Sequence, residues 1–102
     1  MAEGFLEIIG ITAPSSAHVG DTINFIVHTK NTGGADDFKV ELTGDITGSS
    51  EFYLGAGLTK DITFSFIMPD KNISIQINTY HWEEEIGWVW DVTSTWDVNR
   101  WF

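Results

Sequence analysis

The amino-acid sequence predicts an all-β domain folded as an antiparallel β-sandwich. About six or seven segments rich in β-branched and aromatic residues follow one another along the chain, which is typical of strands. Short stretches of Gly, Asp, Asn, Ser and Pro separate these segments and favour turns. No segment keeps the period of an amphipathic helix over several turns. A sandwich fits better than a small barrel, because alternating strands bury one face of each sheet.

The clearest strand of the first half covers residues 22–30. Gly20 and Asp21 supply the turn before it, and residues 31–34, Asn-Thr-Gly-Gly, can adopt the positive-φ conformations of a tight exit. Residues 5–12 predict an earlier strand, and residues 38–42, which alternate apolar and charged side chains, predict a third. The Gly-, Ser- and Thr-rich residues 43–50 are expected to form a loop, followed by a short edge strand at residues 51–54.

Residues 58–68 form the clearest strand of the second half, because apolar side chains occupy every second position from 62 to 68. The isoleucines at positions 73, 75 and 77 predict the next strand. Residues 87–98, rich in Trp, Val and Thr, predict the last strand, and the acidic residues 83–85 form a hairpin tip between the two. The alternation predicts a core of Ile9, Ile23, Phe25, Val27, Phe38, Val40, Leu42, Ile62, Phe64, Phe66, Ile73, Ile75 and Ile77.

The composition indicates one globular domain, to which we assign residues 1–102. Cysteine is absent, so disulfides and thiolate metal sites are excluded. The formal net charge is −10 with only 5 basic residues, which argues against a nucleic-acid partner, since phosphates need Lys and Arg. No signal peptide is visible, and the longest apolar run is far too short to cross a bilayer. We therefore expect no membrane insertion.

Three stretches carry turn and strand motifs that occur together in one family. Residues 14–22 end in Val-Gly-Asp-Thr, residues 27–33 end in Lys-Asn-Thr-Gly, and residues 58–66 form an alternating strand before Met68 and Pro69. Over about residues 8–80 the chain resembles the immunoglobulin-like, cell-adhesion-related domain of bacterial and archaeal surface proteins. The resemblance implies an immunoglobulin-like antiparallel β-sandwich of about seven strands. The family usually ends in an acidic, Asn-rich strand, whereas this chain ends in tryptophans.

The residue patterns of known catalytic and metal sites are missing, so we expect no enzyme activity, no cofactor and no metal ion. His18, His28 and His81 lack the H-x-H and H-E-x-x-H spacings of metal sites. No serine lies in a nucleophile elbow, and no glycine-rich loop precedes a helix. Acidic residues cluster at positions 36–37, 83–85, 91 and 97 without the spacing of a calcium loop. We interpret them as solvated loop acids, and calcium binding stays open.

The tryptophans are the unusual residues of the chain, because all 5 lie between positions 82 and 101. Pairing of the last two strands across the 83–87 turn would bring aromatic side chains together. Such a cluster is either an exposed platform for sugar rings or a protein partner, or a set of rings that seals one end of the core. The candidate interaction surface comprises Tyr80, Trp82, Trp88, Trp90, Trp96 and Trp101.

The sequence favours a non-catalytic structural or adhesive interaction module in a surface-exposed assembly. Such a module could be a virion or filament subunit, a decoration protein or a cell-surface adhesion domain. Its partner would be a protein or, through self-assembly, further copies of the chain. The alternative is a carbohydrate-binding module that uses the C-terminal tryptophans. The extracellular surface or a virion is the favoured location, although no signal peptide is visible.

Overall fold

The computed structural model describes residues 3–101, and residues 1, 2 and 102 of the predicted domain lie outside this part. The predicted all-β sandwich is confirmed. Among the described residues there is no helix, and hence none that is long and apolar enough to cross a membrane. The strands are β1 (Leu6–Thr12), β2 (Ser16–His18), β3 (Thr22–Asn31), β4 (Asp36–Gly44), β5 (Gly48–Leu54), β6 (Thr59–Ile67), β7 (Ile73–Glu83) and β8 (Gly87–Trp101).

The strands form two sheets. One sheet has three strands in the order β1-β3-β6, and the other has five in the order β2-β8-β7-β4-β5. Neighbouring strands run antiparallel, except that β2 runs parallel to the end of β8. The predicted hairpin tip at residues 83–85 lies in the turn between β7 and β8, and β5 is the predicted edge strand.

The core lies between the two sheets, as the alternation predicts. Of the predicted core residues, Phe64 and Phe66 are partly buried and pack against the core, and ten others are buried. The core also contains Leu6, Ala17, Leu54, Met68 and Val98. Burial of this apolar surface is the main stabilising contribution, since the chain has no disulfide.

The prediction that Ile9 belongs to the core is wrong, since its side chain is 56% exposed. A β-bulge shifts the pairing of β1 with β3 between Ile8 and Gly10. The extra residue changes the face to which the following side chains point. Leu6 is therefore buried, and Ile8 and Ile11 pack against the core, while Ile9 faces away from it.

Two further expectations about strands are corrected. Residues 3–101 contain eight strands. The sequence did not predict β2, because its three residues are too few to show an alternating pattern. The predicted loop at 43–50 is also wrong over most of its length. Pairing with β7 extends β4 to Gly44, and pairing of Leu42 with Gly48 starts β5 at Gly48. The Gly and Ser residues there take strand conformation because the neighbouring strand supplies their hydrogen bonds.

A second β-bulge lies in the long hairpin of β7 and β8. Thr79 of β7 lies opposite two residues of β8, Asp91 and Val92. The bulge reverses the face to which alternate side chains point. Trp90 and Trp96 are an even number of positions apart and would share a face in a regular strand. Instead Trp96 packs against the core, whereas Trp90 is exposed on the outer face of the five-stranded sheet.

Candidate interaction surface

The structure brings four of the predicted aromatic residues together on the outer face of the five-stranded sheet. Tyr80 lies opposite Trp90, and Trp82 lies opposite Trp88, on the paired strands β7 and β8. The rings of Trp82 and Trp88 meet edge to face, with centroids 5.1 Å apart and planes at 76°. Aromatic pairs favour this geometry because the positive ring edge meets the negative ring face.

Lys39 of β4 is the only basic residue in contact with these rings among the described residues. It lies between Tyr80 of β7 and Glu51 of β5. Its ammonium group is 4.7 Å from the centre of the Tyr80 ring and 5.2 Å from that of Trp88, within range of cation–π attraction. The Tyr80 hydroxyl donates a hydrogen bond to Glu41, 3.3 Å away. Burial, followed by the charge of Glu41, raises the pKa of Tyr80.

A shallow depression of about 410 Å³ lies beside the two central tryptophans. Its wall includes Tyr53 of β5, which is 67% exposed, together with Trp82 and Trp88. The carboxylates of Asp37 and Glu51 also line it. We call the surface formed by Tyr53, Tyr80, Trp82, Trp88 and Trp90 the aromatic face.

Two predicted residues lie away from the aromatic face. The Trp96 ring meets Phe25 of the core edge to face at 6.5 Å, and its indole N–H donates to the Pro14 carbonyl at 3.1 Å. Trp101 lies at the far end of β8, where its exposed ring contacts His18 at 5.2 Å. The structure thus places Trp96 at the edge of the core and Trp101 at a separate edge of the sheet.

A second cluster lies on the opposite face of β7, where His81 and Glu83 point to the same side. The His81 ring is buried, and its Nδ1 atom is 2.5 Å from a carboxylate oxygen of the buried Asp91. Its Nε2 atom is 2.7 Å from Glu83 and 4.0 Å from Glu3. Burial acts to lower the pKa of His81, but the hydrogen bonds to Asp91 and Glu83 outweigh it and raise that pKa.

Asp91 and Thr79 join this cluster to the other sheet. Asp91 accepts a hydrogen bond from the Leu6 amide at 3.0 Å, and the Thr79 hydroxyl donates to the Leu6 carbonyl at 2.8 Å. Asp91 and Thr79 thus supply hydrogen-bond partners to the backbone amide and carbonyl of β1 on the edge where no strand pairs with it. The bulge of β8 supplies Asp91 at this position, so the same irregularity shapes both the cluster and the aromatic face.

The three histidines of the sequence do not converge. His28, on the three-stranded sheet, contacts Asp61 and Thr12 at 2.8 and 2.7 Å. His18 lies in β2, and His81 has the carboxylate partners just described. Of the acidic clusters noted in the sequence, Asp91 and Glu83 come together at His81, while Asp37 lines the depression of the aromatic face.

The sequence did not identify Tyr53, Lys39 and Glu51 as neighbours of the tryptophans. Their proximity depends on the order and register of β5, β4 and β7, which are distant along the chain. Nor did it identify the cluster around His81. The His-x-Glu spacing at positions 81 and 83 was a usable signal, because it places both side chains on one face of a strand.

Comparison with known proteins supplies information on the fold. None of the family models matches the chain, and no curated protein matches it. Among solved structures, the CARDB (cell adhesion-related) domain of a Pyrococcus furiosus protein, crystallised in complex with di-metal ions, is 24% identical. The match covers 97% of this chain and 90% of that one, with a TM-score of 0.72.

Two other solved structures are also similar. The solution structure of the same Pyrococcus furiosus CARDB domain has a TM-score of 0.63 at 24% identity, over 98% of this chain and 95% of that one. A Niemann-Pick type C2 protein from Japanese carpenter ant has a TM-score of 0.56 at 9% identity, over 97% and 93% of the two chains. The chain therefore has the fold of a CARDB domain.

Proposed function

We propose that the chain is a non-catalytic, adhesion-related interaction module that binds its partner with the aromatic face. The proposal is carried by the exposed rings of Tyr53 and Trp82, which lie with the half-buried Trp88 around one depression on the sheet. Exposed aromatic side chains that cluster on a surface are typical of interaction sites, because they bury much area at low entropic cost. The likeness to cell-adhesion-related domains agrees with this role.

The proposed partner is a protein surface that carries basic and apolar side chains. The chain has a net charge of −10, and Asp37 and Glu51 lie beside the aromatic rings. An Arg or Lys of a partner would pair with these carboxylates and pack over the tryptophan rings, in the way that the ammonium group of Lys39 lies over Trp88 within the chain. We assign residues 1–102 to one module of this kind, at a cell surface or on a virion. Self-assembly through the same face would have to overcome the repulsion between acidic copies.

Carbohydrate binding is the second candidate, and the depression itself favours it. Aromatic rings that flank a shallow groove can stack on the apolar faces of sugar rings. The carboxylates of Asp37 and Glu51 could accept hydrogen bonds from sugar hydroxyls. The two candidates share the surface and differ in the ligand, so one experiment with two arms separates them.

The experiment measures binding of the chain to an array of random peptides and to an array of glycans. We expect enrichment of peptides that contain Arg or Lys next to apolar residues. Binding should fall at least about tenfold in Trp82→Ala and in Trp88→Ala, since central aromatic residues contribute about 2 kcal/mol or more to interfaces. Trp101→Ala is the matched control, because it removes an exposed tryptophan at the other end of β8.

Each other outcome contradicts a specific part of the proposal. Enrichment of glycans alone, lost in the same two variants, would replace the protein partner by the carbohydrate. Equal loss in Trp101→Ala would show that the aromatic face is not the binding surface. The absence of enrichment in both arms would contradict the proposal as a whole.

A further inference from the structure

We propose that Glu3, His81 and Glu83 bind one divalent transition-metal ion of the class of Zn²⁺. Each of these residues offers one ligand atom, and the three atoms lie within 4.8 Å of one another. The three ligand side chains lie on the opposite face of β7 from the aromatic face, although Trp82 also lines the depression beside them.

His81 is held in the arrangement that metal-binding histidines require. Its ring is buried, and Asp91 fixes the Nδ1 atom, which leaves Nε2 directed at the two glutamates. Ligating histidines almost always donate their second ring N–H to a carboxylate or carbonyl, which fixes the orientation of the ring. An imidazole nitrogen favours Zn²⁺ and similar ions over Ca²⁺ and Mg²⁺, which prefer oxygen ligands.

The distances between the ligand atoms suit a tetrahedral ion. With bonds of about 2.0–2.1 Å to each ligand, two ligand atoms of a tetrahedral zinc site lie about 3.3 Å apart. Nε2 of His81 is 2.7 Å from Glu83 and 4.0 Å from Glu3, on either side of this value. Small rotations of the two glutamate side chains would accommodate the ion. Both glutamates line a depression that also contains Asp36, through which ion and water can reach the site.

Glu3 is positioned by its backbone, although its side chain is largely exposed. The Gly34 amide donates to the Glu3 carbonyl at 2.9 Å, and the Gly4 amide donates to Asp36 at 3.1 Å. Gly33 permits this approach, because a Cβ atom there would lie 2.4 Å from the Glu3 carbonyl oxygen. A bound ion would therefore join the segment before β1 to the end of β7.

Calorimetric titration of the metal-free chain with Zn²⁺ tests the proposal. We expect saturable binding of one ion per chain. Removing a direct ligand should weaken metal binding at least as much as removing a residue that hydrogen-bonds to a ligand. We therefore expect Glu3→Gln and Glu83→Gln each to weaken binding at least about tenfold. Glu84→Gln is the matched control. It removes the same charge from an exposed residue of the same hairpin and should change the affinity less than about twofold.

A nitrogen NMR spectrum of the imidazole groups identifies the ligand. Zn²⁺ should shift the Nε2 signal of His81 and leave the signals of His18 and His28 in place. The absence of saturable binding at millimolar Zn²⁺ would overturn the proposal, as would a shift at His18 or His28 instead. An equal loss of affinity in Glu84→Gln would also overturn it, because binding would then reflect only the acidic surface. Glu3→Gln changes an exposed side chain, so unfolding would not explain its effect.

Discussion

Asn31 joins separate parts of the fold through one fully buried side chain. Its carboxamide oxygen accepts hydrogen bonds from two backbone amides, and its NH₂ group lies within donor distance of three backbone carbonyls. The two amides belong to Phe5 and Gly33, and the three carbonyls belong to Gly34, Leu54 and Gly55. The side chain thus provides hydrogen-bond partners for backbone amides and carbonyls where β3 ends and where β5 leads into the turn before β6.

The substitution Asn31→Ala should lower the free energy of unfolding by about 2–4 kcal/mol, because buried backbone groups left without a partner cost about 1–3 kcal/mol each. Urea unfolding followed by circular dichroism measures the change. Asn24→Ala is the control on the exposed side of the same strand and should change stability by no more than about 0.5 kcal/mol. Equal destabilisation by the two substitutions would contradict the role assigned to Asn31.

At the level of the strand, the bulge in β8 determines which tryptophans pack against the core and which are exposed on the outer face. Trp96 packs on Phe25 and donates to the Pro14 carbonyl, so it seals the edge of the core. Trp90 has its ring on the outer face and bonds only to Thr93 of its own strand among the hydrogen bonds of residues 3–101. The sequence alone left both roles open for this group of residues.

The two tryptophans should therefore differ in their contribution to stability. Trp96→Ala should lower the free energy of unfolding by about 2–4 kcal/mol, somewhat less than for a fully buried ring. Trp90→Ala should lower it by less than about 1 kcal/mol. Thermal or urea unfolding of the two variants measures the difference. A larger effect of Trp90→Ala would mean that the bulge does not separate the two faces as described.

Alternating patterns predicted most strands because one face of each sheet is buried. The strands at 22–30 and 58–68 were found near their predicted bounds for this reason, and the strand predicted from Ile73 onward begins at that residue and continues to Glu83. Neither bulge was predicted, because an extra residue can be recognised only from the pairing with a partner strand. The same limit explains the error at Ile9. It also explains why Glu3 was not associated with His81, from which it is far removed in sequence.

At the scale of the whole molecule, the two ends of β8 carry different surfaces. Trp88, near the start of the strand, belongs to the aromatic face, and Trp101, at its end, lies beside β2. The carboxylates of Asp37 and Glu51 lie beside the aromatic face, in keeping with the net charge of −10. The fold places these features on one hydrogen-bonded sheet, so we expect binding to require little rearrangement of the backbone.

We propose that the aromatic face is the binding surface. NMR spectroscopy of the indole N–H signals, recorded while an Arg- and Lys-containing peptide enriched on the array is added, tests it most directly. We expect saturable shifts for Trp82 and Trp88, with Trp96 unchanged as an internal reference. Shifts confined to Trp101, or no shift at any tryptophan at saturating peptide, would contradict it.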